Sequence, residues 1–266
     1  MTEALKVDQR RLVCWFSCGA ASAVATKLII QAQTRAENSG NSPREIVVAY
    51  CDTGSEDEDN SRFLSDCERW FGQSVVRLQN DKYRDTWDLW ERRGYMAGIN
   101  GAICTGEFKF APRLDFQRPS DIHVFGYTAD KADIKRAERL RETYPEMSIV
   151  TPLIDQGITK DICRVSLKIA GIAEPRTYAM GFPNANCLKS GCCKSTSPDY
   201  WANHRKWFPE GFAETARIAR KLGVRLARIK GERVFIDDIP SDWPTQNAEA
   251  PPCDFLCQII SEDLAA

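Results

Sequence analysis

Histidine is nearly missing from this chain: His123 and His204 are the only two in 266 residues. That scarcity argues against a histidine-based catalytic triad. A surplus of either charge is missing too. Lys and Arg number 36 against 37 Asp and Glu, a net charge of -1, so no global field draws the chain to nucleic acid or to an anionic membrane. A nucleic-acid role must then rest on a local patch or a partner. No stretch approaches the ~20 apolar residues of a membrane span. The opening MTEALKVDQRR is polar, and the apolar run behind it is too short for a secretory leader. The expectation is a soluble cytoplasmic protein with no membrane partner. Internal repeats and low-complexity tracts are absent as well.

Cysteine, by contrast, is abundant, with 11 residues. In a reducing compartment this usage speaks against a disulfide framework and for metal-binding or catalytic thiols. Cys14, Cys51, Cys67 and Cys163 fall inside apolar patterns, where a free thiol serves as a small buried hydrophobe.

Strand and helix patterns alternate over the first two thirds. Leu12–Phe16 reads as a buried strand, 17–22 as a loop, and 23–36 as a helix with Val24, Leu28 and Ile29 on one face. Glu45–Cys51 is a second apolar strand, completing a βαβ unit. Helical stripes follow at 59–71 and 86–93, the latter ending at Gly94, with a short strand at 74–78 between them. Strands at 122–127 and 148–153 enclose a charged helix at 131–144, and a further helix covers 159–170. Such alternation predicts an α/β fold with a doubly wound, mainly parallel sheet. After about Pro175 the pattern changes. Residues 181–198 are rich in Gly, Pro, Asn, Ser and Cys without periodicity, 209–222 is a helix, and 224–236 is a hairpin. The expected division is a nucleotide-binding α/β domain at 1–175 and a Cys-rich, substrate-facing C-terminal region at 176–266.

The loop Ser17-Cys18-Gly19-Ala20-Ala21-Ser22 directly follows the first strand. In an open α/β sheet ligands bind at the carboxyl ends of strands. Small residues there let backbone N–H groups approach an anion, and the next helix adds its positive end. The loop carries neither a dinucleotide fingerprint nor the Lys of a Walker-type loop. A tight strand-to-helix turn would use the same residues. The second strand ends in Asp52-Thr53-Gly54. Asp52 suits a ribose hydroxyl or a Mg²⁺ on phosphates, whereas Asp57 and Asp59 read as a solvated acidic turn capping the next helix.

SCGAAS after the first strand, followed by VVAYCDTGSE, resembles the PP-loop adenine nucleotide α-hydrolase family, and within it the phosphoadenosine phosphosulfate (PAPS) reductase-like branch. Ser17, Gly19 and Ser22 match the family loop; Cys18, Ala20 and Ala21 depart from it, as does the absence of a Lys/Asp pair. Cys104-Thr105, Lys109 and Pro112 resemble the family's C-T-x-x-x-K-x-x-P element. The run 181–194, with Cys187, Cys192 and Cys193, resembles its N-C-x-G-C-x-K element, stretched by two residues. The resemblance spans roughly 12–194. It implies an ATP site at Ser17–Ser22 with Asp52, Thr53, Gly126 and Tyr127, and Mg²⁺ on the phosphates. It implies a [4Fe–4S] cluster on Cys104, Cys187, Cys192 and Cys193. Soft thiolates select such clusters or zinc, and Lys109, Lys189 and Lys194 would offset their charge. A zinc site and ordinary free thiols remain the alternatives.

The resemblance further implies an ATP pyrophosphatase that adenylates an acceptor for sulfur transfer. The acceptor class is nucleic acid, as in DNA phosphorothioation, with a cysteine desulfurase as sulfur donor and Lys109, Asp52 and Cys253 in the chemistry. Cys253 and Cys257 read as redox or sulfur-relay thiols; the glutamate, glycine and histidine of a reductase tail are absent around Cys253. A PAPS or adenylyl-sulfate reductase is the second reading, and a non-catalytic nucleotide sensor the third. Tyr200, Trp201, His204, Arg205, Lys206 and Trp207 interleave aromatics with bases, and Arg217, Arg220, Lys221, Arg225, Arg228, Lys230 and Arg233 continue the basic bias. This is either a surface for phosphates and bases or a helix core with solvated charges.

Overall fold

Leu12-Val13-Cys14-Trp15 is apolar on both sides of the pleat, as a strand buried on two faces must be. In the computed structural model, which describes residues 10–98, 101–185 and 187–245, it forms the central strand of a parallel sheet. In chain order the first elements are β1 (Leu12–Trp15), α1 (Ala20–Asn38), β2 (Ile46–Cys51), α2 (Asp59–Phe71), β3 (Val75–Leu78) and α3 (Thr86–Arg93). A two-residue pair, β4 (Ala97–Gly98) and β5 (Gly101–Ala102), leads into α4 (Ile103–Thr105), a π-helical turn over Gly106–Phe110, and α5 (Ala111–Phe116). Next come β6 (Ile122–Val124), α6 (Lys131–Thr143), β7 (Ser148–Val150), α7 (Pro152–Asp155), α8 (Lys160–Ile169) and α9 (Arg176–Ala179). The last are α10 (Pro198–Trp207), α11 (Pro209–Leu222), β8 (Ala227–Ile229) and β9 (Glu232–Val234).

The sheet order is β3-β2-β1-β6-β7, all parallel, which bears out the α/β expectation. The order reverses between β1 and β6, and connections leave their carboxyl ends in opposite directions. That is the topological switch point at which open α/β sheets bind ligands.

The chain folds into two compact units. One comprises 1–50, 63–77 and 117–174; the other comprises 51–62, 78–116 and 175–266. In the first, the sheet buries Val13, Cys14, Val48 and Val124. Phe16 packs edge-on to Phe71 at 5.7 Å and beside Phe63 at 6.3 Å, which explains the apolar stripe of α2. Each such ring removed from water is worth about 2–3 kcal/mol. Cys14, Cys67 and Cys163 are fully buried here, as expected of core thiols, and burial pushes Cys14 and Cys163 up to about 12. His123 accepts a hydrogen bond at Nδ1 from the Trp15 indole at 3.1 Å, a structural task. In the second unit, Trp90, Phe108, Leu188, Tyr200, Trp201, Phe212 and Ile218 form a separate core.

Element boundaries differ from expectation at several places. α1 starts at Ala20, inside the expected loop, because Gly19 adopts the extended N-cap conformation. The strand expected to run to 153 stops at Val150, where Pro152 opens α7 at its first position. Helices over 103–116 and 198–207 were not expected. Among the described residues no helix is long and apolar enough to cross a membrane.

At the amino ends of β1 and β6, Arg11 grips Asp121 with two hydrogen bonds of 2.9 and 2.7 Å, and both side chains are buried. Burial disfavours the Asp121 carboxylate, but Arg11 and the Arg118 N–H outweigh it and hold its pKa below the ordinary value. Asp121→Ala removes both carboxylate bonds from the buried Arg11 guanidinium and should cost about 3–5 kcal/mol, read by urea unfolding. The stabilisation from Asp121 is present above its unfolded pKa and is lost as pH falls through the depressed folded value.

Candidate functional site

Two groups of candidate residues are built separately, one in each unit. In the first unit, the phosphate-loop candidate follows β1. The Ser22 hydroxyl is its hub: it accepts from the Ser17 N–H at 3.1 Å, pairs with the Ser17 hydroxyl at 3.1 Å and donates to the Gly19 carbonyl at 3.1 Å. Cys18, fully buried, takes a left-handed φ of 53°, an uncommon conformation for a residue with a side chain. A left-handed residue within such a turn gathers successive N–H groups on one side, the geometry of an anion-binding nest. No side chain caps α1, and its first turn carries no acidic residue. No carboxylate of that turn opposes an anion at the positive end of α1. Gly126, after β6, lies against the same turn: a Cβ there would sit 2.6 Å from Ser22 Cα and 2.7 Å from Ser22 N. Only glycine permits that approach. Tyr127 is buried, stacked on Phe125 at 5.7 Å with the Arg136 guanidinium 5.1 Å from its ring. The structure therefore brings Ser17–Ser22 and Gly126 together at the switch point, with Tyr127 beside them as packing.

Asp52, Thr53, Lys109 and the cysteine candidates belong to the second unit. Asp52 is committed locally: one carboxylate oxygen accepts from Gly54 N–H and the other from Gln79, both at 3.0 Å. Thr53 donates its hydroxyl to Glu56 at 2.7 Å and stands 3.3 Å from Cys187 Sγ. Burial, opposed by the Thr53 hydroxyl and reinforced by the Asp52 charge, raises the Glu56 pKa. Lys109 lies within charge range of Glu56 and of Cys51, whose thiol burial pushes up to about 11. Glu56 had no assigned role from sequence; its burial was hidden by its acidic neighbours. Asp57 corrects the reading of a solvated turn. It is buried and grips Arg176 through two 2.8 Å bonds, from a residue 119 positions away.

Two of the cysteine candidates, Cys104 and Cys193, come from distant segments and meet. Cys104, on the single turn of α4, has its Sγ 4.0 Å from that of Cys193. Cys187 takes a left-handed φ of 49° and is buried. The Cys192 N–H donates to the Tyr200 hydroxyl at 2.8 Å. Burial first, then the charges of Cys192, Cys187 and Cys193, push the Tyr200 phenol well above its ordinary pKa, so three of the four thiols act on one ring. A tetrahedral zinc with ~2.3 Å bonds requires its thiolates to converge tightly. Among the described residues, no three His, Cys, Asp or Glu side chains stand close enough to share one ion. A cubane cluster puts each thiolate on a different iron and spreads its ligands more widely, and four soft donors are its usual set. Cys253 and Cys257 lie outside the described residues.

The segment 187–195 has no ladder of its own; Lys189 N–H donates to the Ser55 carbonyl at 2.9 Å and Ser195 N–H to the Cys192 carbonyl at 2.8 Å, and side chains add to these isolated bonds. Ser190 accepts from the Thr86 hydroxyl at 2.8 Å, Thr86 pairs with Ser55 at 2.8 Å, and Thr215 donates to the Ser190 carbonyl at 2.6 Å. Trp201 donates to the Ser195 carbonyl at 2.9 Å, and His204 Nε2 meets the Leu188 carbonyl at 2.7 Å. Gly191 must be glycine: its φ is +74°, and a Cβ would lie 2.6 Å from the Trp201 ring. Tyr200, Trp201 and His204 are thus the inward face of α10, not a stacking platform for bases, while Trp207 alone of the aromatics named there is exposed. Ser197 as N-cap followed by Pro198 was the available sequence signal for this helix.

Burial lowers His204 from 6.5 to about 4. Between those values the unfolded chain binds a proton that the folded imidazole refuses, so stability falls with falling pH, by about 3 kcal/mol in total. His204→Gln keeps a donor for Leu188 and removes that slope. Urea unfolding of the parent and the variant at neutral and acidic pH checks this; identical pH slopes would contradict it.

No family model matches the chain, and no curated protein matches it.

Proposed function

We propose that this chain is a PP-loop ATP pyrophosphatase that adenylates an acceptor for iron–sulfur-dependent sulfur transfer, with a nucleic-acid backbone as acceptor. The observation that carries the reading is the meeting of Cys104 with the 187–193 segment in one unit. An uncapped helix start at the switch point of the other unit supports the nucleotide half.

In this reading the amides of Ser17–Ser22, with the Ser17 and Ser22 hydroxyls, hold the ATP phosphates and orient the α-phosphate for in-line attack. An acceptor oxygen attacks the α-phosphorus, the bond to the bridging oxygen breaks, and pyrophosphate leaves. The acceptor oxygen, now carrying AMP, is a leaving group. Attack by sulfide then forms the acceptor–sulfur bond and releases AMP, with no net change of oxidation state. Cys104, Cys187, Cys192 and Cys193 are the residues that would hold a [4Fe–4S] cluster; with three of them as ligands, one soft iron would stay open to bind sulfide. In this reading Lys109, whose charge reaches Glu56 and Cys51, is the cation that offsets the thiolates, and Asp52 is the carboxylate for Mg²⁺. A cysteine desulfurase is the sulfur source, its persulfide being reduced to sulfide by two electrons from a thiol reductant, and the fold is then adenine nucleotide α-hydrolase-like with a Cys-rich C-terminal region.

The test supplies ATP, duplex DNA, Mg²⁺, a cysteine desulfurase, ³⁵S-labelled cysteine and dithiothreitol as reductant, without oxygen. Release of AMP and pyrophosphate with label entering DNA is the expected result. Ser22→Ala should lower pyrophosphate release by roughly 10²-fold, the scale of losing one positioned donor. Sulfite formed from phosphoadenylyl sulfate, with no pyrophosphate from ATP, would assign the reductase activity instead. Nucleotide binding without turnover would leave a sensor.

A further inference from the structure

The basic residues of the C-terminal region separate into two classes. Arg217 is matched by Glu91 at 2.9 Å and Glu214 at 2.7 Å, Lys221 by Glu91 at 3.3 Å, and Arg220 by Asp237 and Asp238. These charges are neutralised within the fold. The hairpin of β8 and β9 is different. Arg228 and Arg233 stand directly opposite each other in its register, and both are exposed. Like charges at such a cross-strand pair repel and destabilise the hairpin. Burial and the charge of Arg228 both lower the Arg233 pKa. Among the described residues neither arginine has a carboxylate partner, and Arg233 spends one N–H on the Leu226 carbonyl at 2.9 Å.

The turn adds a third cation. Lys230 has φ 49° and Gly231 φ 89°, the two positive values of a type I′ turn, where Asn-Gly is the usual pair. A lysine there accepts a conformation that side chains disfavour and sets an ammonium at the hairpin tip. Strand alternation puts Arg228 and Arg233 on one face, with Glu232 on the other beside Ile229. Their face carries no acidic residue. The hairpin is also tied to the cysteine segment: the Arg228 N–H donates to the Thr196 carbonyl at 2.9 Å.

We infer that the β8–β9 hairpin is a phosphodiester-binding element, with Arg228, Lys230 and Arg233 gripping the backbone of a nucleic-acid duplex beside the cysteine segment. The inference rests on the proposed function and assigns the acceptor's docking surface. An unmatched cross-strand arginine pair is relieved by an anion that touches both, and a two-stranded ribbon suits a duplex groove. The arginine face offers no apolar side chain to enter a bilayer, which favours nucleic acid over a membrane.

Fluorescence anisotropy of a labelled DNA duplex against the full chain, over a salt series, tests this. The parent should bind with an affinity that falls linearly in log–log salt. Arg228→Glu should weaken binding by ~10-fold and reduce the salt slope by about one or more. The same variant places a carboxylate opposite Arg233, so its melting temperature should hold or rise; loss of binding is then not loss of fold. Arg35→Glu, the same charge change on α1 of the other unit, should leave binding within about twofold. The inference is overturned by a parent that does not bind DNA at low salt, by Arg228→Glu behaving as Arg35→Glu does, or by Arg228-dependent binding to phosphatidylserine vesicles without DNA binding. Iron content and pyrophosphate release are read on the same preparations. A chain without iron or turnover that still binds DNA through Arg228 removes the enzymatic reading and keeps this one; an active chain whose DNA binding ignores Arg228 does the reverse.

Discussion

A segment with three cysteines and no hydrogen-bond ladder must still satisfy its buried backbone, and that constraint organises the second unit. Buried N–H and C=O groups left unpaired cost about 1–3 kcal/mol each. The segment 187–195 meets this through two isolated backbone bonds, Lys189 to Ser55 and Ser195 to Cys192, and through side chains: Thr215 from one side, Tyr200, Trp201 and His204 of α10 from the other. The left-handed Cys187 and the glycine at 191 are consequences of the same packing. The clamps are aromatic and hydroxyl groups in a packed core, so they fix the backbone course of the segment that carries Cys187, Cys192 and Cys193.

The first unit depends on strand order instead. Reversal of the sheet between β1 and β6 places two loop starts at one edge, and Gly126 allows the second to lie against the first turn of α1. The chemistry available there is backbone N–H, two serine hydroxyls and a helix end. All suit an anion, and none is a strong base or nucleophile. A phosphate-binding site that works by positioning is what such a set can make.

The sheet was legible because buried strands and amphipathic helices alternate with period and length that leave few other solutions. Helices 59–71, 86–93 and 209–222 fall where their apolar stripes put them. α10 was not legible as a helix because its inward residues are Tyr200, Trp201 and His204, which as letters suit a nucleic-acid platform equally well. Only burial distinguishes the two. Asp57 misled for the same reason: a carboxylate in an acidic run reads as solvated, and its buried partner, Arg176, lies far along the chain. The convergence of Cys104 with Cys193 was expected only through resemblance, since spacing alone relates no residues 89 positions apart. The division of basic residues into matched and unmatched needed the register of β8 and β9, which the hairpin pattern does not reveal.

The proposed function stands on Cys104, Cys187, Cys192 and Cys193 holding one iron–sulfur cluster between them. Its most direct test is iron and acid-labile sulfide measured in protein purified without oxygen, for the parent, Cys187→Ala and the core variant Cys14→Ala. About four irons and four sulfides in the parent and in Cys14→Ala, lost in Cys187→Ala, is the predicted result. Iron absent from the parent, or retained in full by Cys187→Ala, would contradict the account.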